Sequence, residues 1–224
     1  MFLKLILVRP TVPDTIYMGH LMTRENQPLP KEFAGILDKT KDGVILASFG
    51  SNVADFPDDL FYKMLHVFEH LKYDIIWKVN KKDMPKKIAE NIHVVKWMPQ
   101  NDLLGHPNLK LFITHGGFNS MVEGIYHATP MIMMPFAFDQ ESNAAFAESR
   151  DFAKTLPIAS FTEEELENAI TELITNDHYR VQSKHASEII REMKQNNISN
   201  PSFWIEHVIK FGDAHLRSHA YDLS

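Results

Sequence analysis

Apolar residues along this chain fall into two alternating patterns. Val44-Ile-Leu-Ala-Ser-Phe49 is a short, nearly continuous apolar run that stops at Gly50-Ser51, as expected of a strand buried on both faces and ending in a loop. Ile75-Ile-Trp-Lys-Val79, Val94-Val-Lys-Trp97, Leu109-Lys-Leu-Phe-Ile113 and Met131-Ile-Met-Met134 repeat that pattern. Between the first two runs, Leu60, Phe61, Met64, Leu65, Phe68 and Leu71 recur at helical spacing, with Asp58 and Asp59 where a helix dipole favours acid. Strand and helix in alternation predict an α/β fold: a parallel sheet with helices on both faces, spanning 43–160.

The flanks read differently. Residues 1–42 carry Pro10, Pro13, Pro28, Pro30, Gly19 and Gly35 and predict an extended lead-in with little regular structure. Residues 161–224 predict helices. Thr162-Glu-Glu-Glu165 is a capping-box pattern leading into Leu166, Ile170, Leu173 and Ile174, and two more helices are expected near 178–194 and 202–216. We take 1–224 as one domain.

Composition narrows the chemistry. Of 224 residues, 44% are hydrophobic and 23% charged, which is ordinary for one well-buried domain. A formal charge of -6 supplies no field for polyanions, so nucleic acid is not expected as a partner. With no cysteine, disulfides, thiolate nucleophiles and cysteine metal sites are excluded. The 12 histidines are scattered; His-Glu-x-x-His is absent, and His66 with His70 has only Glu69 beside it, so no metal site is expected. Gly-x-Ser-x-Gly and Gly-Lys-Thr phosphate-loop patterns are absent too. Met1-Phe-Leu-Lys-Leu-Ile-Leu-Val-Arg-Pro10 is interrupted by Lys4 and lacks a small-residue cleavage site, so it reads as a strand or a segment of a longer chain rather than a signal peptide. No run reaches the ~18 apolar residues of a membrane span. Asn197-Ile-Ser199 is a glycosylation sequon only in a secretory lumen.

In open parallel sheets, ligands sit beyond the carboxyl ends of the strands, which directs attention to four loops. Ile113-Thr-His-Gly-Gly-Phe-Asn-Ser120 runs from a strand through a glycine turn into a helix. Gly116 and Gly117 would let a diphosphate approach the first N–H groups of that helix, with His115 and Ser120 adding hydrogen bonds. The competing reading is a packing turn capped by Asn119 or Ser120. Glu123, one turn after Asn119, is placed to accept from both hydroxyls of a ribose, or is a solvated surface glutamate. Trp97 offers a face for a base and Gln100 a donor and acceptor for a pyrimidine edge; otherwise Trp97 packs at its strand end. Asp139 and Gln140 suit sugar hydroxyls, although Asp139 would also serve as an N-cap with Ser142 as its partner.

Together, Trp97-Met-Pro-Gln-Asn-Asp-Leu-Leu-Gly-His-Pro107, Thr114-His-Gly-Gly-Phe-Asn-Ser-Met-Val-Glu123 and Pro135-Phe-Ala-Phe-Asp-Gln140 closely resemble the donor-binding half of the UDP-glycosyltransferase family, which includes the UDP-glucuronosyltransferases. Phe203-Trp-Ile-Glu-His-Val208 and His215-Leu-Arg-Ser-His-Ala-Tyr-Asp-Leu223 resemble that family's closing helices. The resemblance implies the C-terminal, Rossmann-like half of a GT-B glycosyltransferase. On it, Ser51, His115, Gly117, Asn119 and Ser120 surround the diphosphate, Trp97 and Gln100 hold uracil, Glu123 the ribose, and Asp139 with Gln140 the sugar, while Lys78 has a supporting role.

The resemblance further implies an inverting, metal-independent transferase without a cofactor, using UDP-glucuronic acid or a UDP-hexose as donor and small lipophilic acceptors. Family members work on the lumenal side of the endoplasmic reticulum membrane, and a homo- or heterodimer with relatives is a further expectation. The catalytic base is expected in an N-terminal domain without counterpart in these residues, so this chain alone is expected to bind donor without useful turnover. Two other readings are a non-catalytic truncated product that binds UDP-sugar or pairs with full-length relatives, and a nucleotide-sugar epimerase, which shows fewer of these motifs.

Overall fold

The computed structural model describes residues 23–50, 56–81, 83–195 and 201–212. Six strands form one wholly parallel sheet: β1 (Val44–Ser48), β2 (Asp74–Lys78), β3 (Ile92–Val95), β4 (Leu109–Thr114), β5 (Met131–Met133) and β6 (Ala153–Thr155), in the order β3-β2-β1-β4-β5-β6. The order reverses between β1 and β4. That is the switch point at which the loops leaving two neighbouring strands diverge and open a crevice. In β1 every residue is buried, which explains why its sequence is a continuous apolar run rather than an alternating one.

Alternate residues serve opposite faces. Ile45, Ala47, Ile75, Trp77, Ile113 and Ile132 pack under α2 (Asp58–His70) and α6 (Glu163–Thr175). Val44, Leu46, Ile76, Phe112, Met131 and Met133 pack under α1 (Lys31–Lys39), α3 (Gln100–Leu104), α4 (Phe118–Tyr126), α5 (Gln140–Glu148) and α7 (Asp177–Gln195). Trp77 is the largest fully buried side chain, stacked on Phe61 at 4.8 Å between ring centroids with Phe68 edge-on at 5.2 Å. The capping box of α6 is present: the Glu165 N–H donates to Thr162 Oγ1 at 3.1 Å, and the Thr162 N–H to Glu165 Oε2 at 2.7 Å. A last helix, α8 (Pro201–Phe211), contains no buried residue. Among the described residues no helix is long and apolar enough to cross a membrane.

The expectation of an extended segment up to residue 42 is corrected by α1. Pro30 precedes its first turn with φ of -52°, so the ring that reads as a breaker in sequence instead pre-sets the helix entrance. Phe33 and Leu37, one turn apart, are buried beneath the sheet and hold the helix despite Gly35. Two short elements, α3 and β6, add to the predicted set. The N-terminal ten residues, Ser51, the sequon at 197–199 and the 215–223 tail lie outside the described residues.

Upstream of α1, a polar strap ties the chain to the second layer of helices. Arg24 donates to both oxygens of Asp102 at 2.6 and 2.8 Å, and the Gln27 N–H donates to the same carboxylate at 2.7 Å. The Arg24 guanidinium holds the Asp102 carboxyl below its usual range, outweighing the opposing effect of burial. Asp102→Ala is therefore expected to lower stability by about 2 kcal/mol, because it strands a backbone donor and removes the anchor of α3. A urea denaturation midpoint equal to wild type would refute this.

Candidate functional site

Four loops at the carboxyl ends of the strands build the site. After β4, Gly116 takes φ of +81°, a backbone that glycine adopts without cost, and the chain turns at once into α4. The N-cap of α4 is Gly117, which makes no side-chain cap. Asn119 and Ser120 therefore do not cap it. Its first-turn N–H groups are left for a ligand or water, at the positive end of the helix dipole.

Gly117 has an ordinary negative φ; its lack of a side chain matters for another reason. A Cβ there would sit 2.5 Å from His115 Nε2, and one on Gly50 would sit 3.0 Å from the same ring. The imidazole thus lies between the loops after β1 and β4, at the switch point. Burial pushes the His115 pKa down, with the Asp139 carboxylate opposing and Lys78 reinforcing that shift. The ring is accordingly neutral at pH 7, and it acts as a hydrogen-bonding group rather than a fixed cation.

Around this ring is a cavity of about 450 Å³, lined by Phe49, Gly50, His115, Asn119, Ser120 and Gln140 together with Gly117, Phe118 and the Phe136–Phe138 loop. Behind Ser120 is a hydrogen-bonded group: Gln100 Nε2 donates to Ser120 Oγ at 3.2 Å and to Glu123 Oε2 at 2.7 Å. Glu123 is half-buried, and desolvation raises its pKa against the lowering effects of the Gln100 hydrogen bond and Arg24. It is not a solvated surface glutamate. Trp97, just past β3, is 66% exposed, so packing at the strand end does not account for it.

Asp139 and Gln140 do different jobs. Asp139 makes no side-chain cap of α5; its Oδ2 accepts from Asn143 Nδ2 at 2.8 Å, and Asn143 also donates to the Gly116 carbonyl at 3.0 Å. Asp139 is thereby linked to the glycine turn, and it does not line the cavity. Ser142 donates to the Asp139 carbonyl, not to its carboxylate. Gln140 lines the cavity, but its Oε1 already accepts from the N–H groups of Phe136 and Ala137 at 2.8 and 3.2 Å, leaving the amide NH2 to act as a donor.

The structure thus brings His115, Gly117, Asn119, Ser120 and Gln140 around one cavity and ties Gln100 and Glu123 to it through Ser120. Trp97 and Asp139 lie outside the cavity lining, and Ser51 is outside the described residues. Sequence reasoning missed the aromatic wall of Phe49, Phe118, Phe136 and Phe138, whose signal was the recurrence of phenylalanine just beyond strand ends. Among the described residues there is no cluster of three His, Asp or Glu side chains able to hold a metal.

A wholly parallel sheet with a switch-point crevice, a glycine turn and an uncapped helix start defines a Rossmann-like domain. The sequence of the whole chain carries the assignment further: residues 2–224 match the family model described as "UDP-glucoronosyl and UDP-glucosyl transferase". The chain belongs to this family of glycosyltransferases. It is 35% identical over 218 residues to UDP-glucuronosyltransferase 3A1 of Bos taurus, covering 95% of this chain and 42% of that protein. It is 31% identical to 2-hydroxyacylsphingosine 1-beta-galactosyltransferase of Rattus norvegicus, covering 96% of this chain and 40% of that one. The chain therefore spans about two-fifths of the length of these curated relatives.

Among solved structures, the glycotransferase of kitacinnamycin superposes with a TM-score of 0.68 at 22% identity, over 84% of this chain and 47% of that one. The spinosyn forosaminyltransferase SpnP gives 0.69 at 15% identity, over 82% and 47%. Both likenesses concern the fold, which is the Rossmann-like half of a GT-B architecture.

Proposed function

We propose that this chain is the donor-binding part of a UDP-glycosyltransferase that moves a sugar from UDP-glucuronic acid or a UDP-hexose to small lipophilic acceptors. The observation that carries the reading is the linked group of Gln100, Ser120 and Glu123 beside the uncapped start of α4. An amide fit for a base edge, a carboxylate fit for a ribose and free N–H groups fit for a diphosphate stand there in the order of a nucleotide.

In this reading the diphosphate lies against Gly117, Asn119 and Ser120, and the positive end of α4 with neutral His115 stabilises the charge that develops on the departing UDP. That stabilisation requires no metal. Displacement with inversion also needs a base for the acceptor hydroxyl and a surface holding that hydroxyl in line with the sugar carbon. We assign that base to no residue of this site, because His115 sits where the diphosphate would lie. Alone, the chain is expected to bind donor without useful turnover.

Calorimetric titration of the chain with UDP tests the proposal: no heat of binding at millimolar UDP would remove its basis. Trp97→Ala is expected to weaken UDP about tenfold, the effect of losing one base stacked on an aromatic ring. Equal affinities for the variant and wild type would eliminate the stacking role while leaving the phosphate site intact.

A further inference from the structure

Phe138 combines an unfavourable backbone with an unfavourable exposure. Its φ is +62°, in the left-handed region that a bulky side chain rarely occupies, and 95% of the residue is exposed. Ala128 and Asp151 also have positive φ, each 57°. Those two follow the ends of α4 and α5, where a left-handed residue is a common helix stop. Phe138 precedes a helix, so that account does not apply to it.

The conformation is imposed from outside the residue. Gln140 Oε1 accepts from the N–H groups of Phe136 and Ala137, and the Gln140 N–H returns to the Ala137 carbonyl at 3.3 Å. The loop is thus closed on itself around position 138. Folding gains nothing from the ring it displays. Phe136 in the same loop packs edge-on against Phe49 at 5.8 Å and Phe56 at 6.5 Å, whereas Phe138 joins neither core cluster and has no ring partner among the described residues. Backbone strain held in place without a packing return is characteristic of a ligand contact.

Its position identifies the ligand chemistry. Phe138 lines the same cavity as His115, Asn119 and Gln140, so an aromatic residue and hydrogen-bonding groups border one space. A pyranose presents the matching pair, an apolar C–H face and a rim of hydroxyls. In the sheet order, β4 stands between β3 and β5. The loop carrying Phe138 therefore leaves the strand next to the one that carries His115, on the side away from Trp97, where a sugar beyond the diphosphate would lie.

We propose that Phe138 is the stacking platform for the transferred sugar, held in place by the hydrogen bonds of Gln140 to its loop. This rests on the donor-site reading above and assigns the sugar to a residue outside the Asp139–Gln140 pair.

The test is calorimetric titration of the 224-residue chain with UDP, UDP-glucose and UDP-glucuronic acid, combined with thermal melts. In Phe138→Ala and Phe138→Gly, the affinity for each sugar nucleotide relative to UDP is expected to fall about threefold to tenfold from its wild-type ratio, and Phe138→Tyr is expected to keep that ratio. Because glycine accepts positive φ and alanine does not, Phe138→Gly should melt about 2–4 °C above Phe138→Ala. A wild-type ratio in both ring-deleted variants overturns the stacking role. An alanine variant that melts at or above the glycine variant overturns the strained loop on which the argument stands. Wild-type protein that binds no UDP overturns the donor-site reading, and this inference with it.

Discussion

Glu123→Ala is expected to weaken UDP binding about 100-fold while leaving the protein as stable as wild type, or more so. The binding loss follows from chemistry: an ionised carboxylate accepting from two ribose hydroxyls makes two charge-assisted hydrogen bonds, each worth about 1.5–3 kcal/mol. The stability result follows from the free protein. Burial raises the Glu123 pKa, so holding the carboxylate charged in the empty site costs free energy, and removing it relieves that cost. Glu123→Gln should behave the same way, since it keeps the volume and discards the charge.

Acidification provides a second check on the same residue. The carboxylate must be ionised to accept from both hydroxyls, so UDP affinity should begin to fall at a higher pH than an ordinary glutamate would dictate. The groups acting on it are Gln100 and Arg24, which favour ionisation, and Asp102, which opposes it. A wild-type UDP affinity in Glu123→Ala, measured calorimetrically at pH 7.5, would remove the ribose role.

The second large effect is a loss of stability on mild acidification, set by His127 behind the site. Its pKa is lowered to about 4, chiefly by burial and then by Arg191. His127 Nε2 lies 3.1 Å from Asn101 Oδ1. Asn101 Nδ2 donates to the Arg24 carbonyl at 3.1 Å, so its oxygen is the acceptor and the histidine donates to it.

The sign is that of a depressed group. The unfolded chain binds the proton near the ordinary histidine value of 6.5, the folded chain only near 4. Stability contributed by the neutral ring is complete above pH 6.5 and is lost as pH falls to 4, amounting to about 3 kcal/mol. Glu123 acts in the opposite direction over the acid range, because protonation relieves its buried charge. Urea unfolding between pH 7 and 5 should therefore show wild-type stability declining with acid, and His127→Gln should flatten that decline. Identical slopes for the two proteins would exclude His127 as the cause.

How much of this was legible beforehand depended on how local the determining physics is. The five predicted strands and α2 were readable because burial on both sheet faces leaves an apolar run, and burial on one helix face leaves a period near four. The Thr162–Glu165 box was readable because its hydrogen bonds close within four residues. α1 was not, because Pro30 and Gly35 read as breakers and only the burial of Phe33 and Leu37 overrides them. β6, three residues long, is too short for any period and exists because β5 offers it an edge. Around the site, the competing readings of Asn119, Ser120 and Asp139 as caps turned on which side chain reaches which N–H, a matter of ångströms that residue spacing does not encode.

By itself, then, the amino-acid order determined the parallel α/β architecture, written in the periodicity of neighbouring residues, and the family to which the chain belongs, carried by its motifs. Only the tertiary structure decided that His115 is wedged between Gly50 and Gly117, that Gln100 reaches Glu123 across two elements, and that Gln140 holds Phe138 strained and exposed at the cavity. Those features arise where loops distant in sequence are brought together by the switch in strand order, so their geometry is a property of the assembled sheet rather than of any one segment.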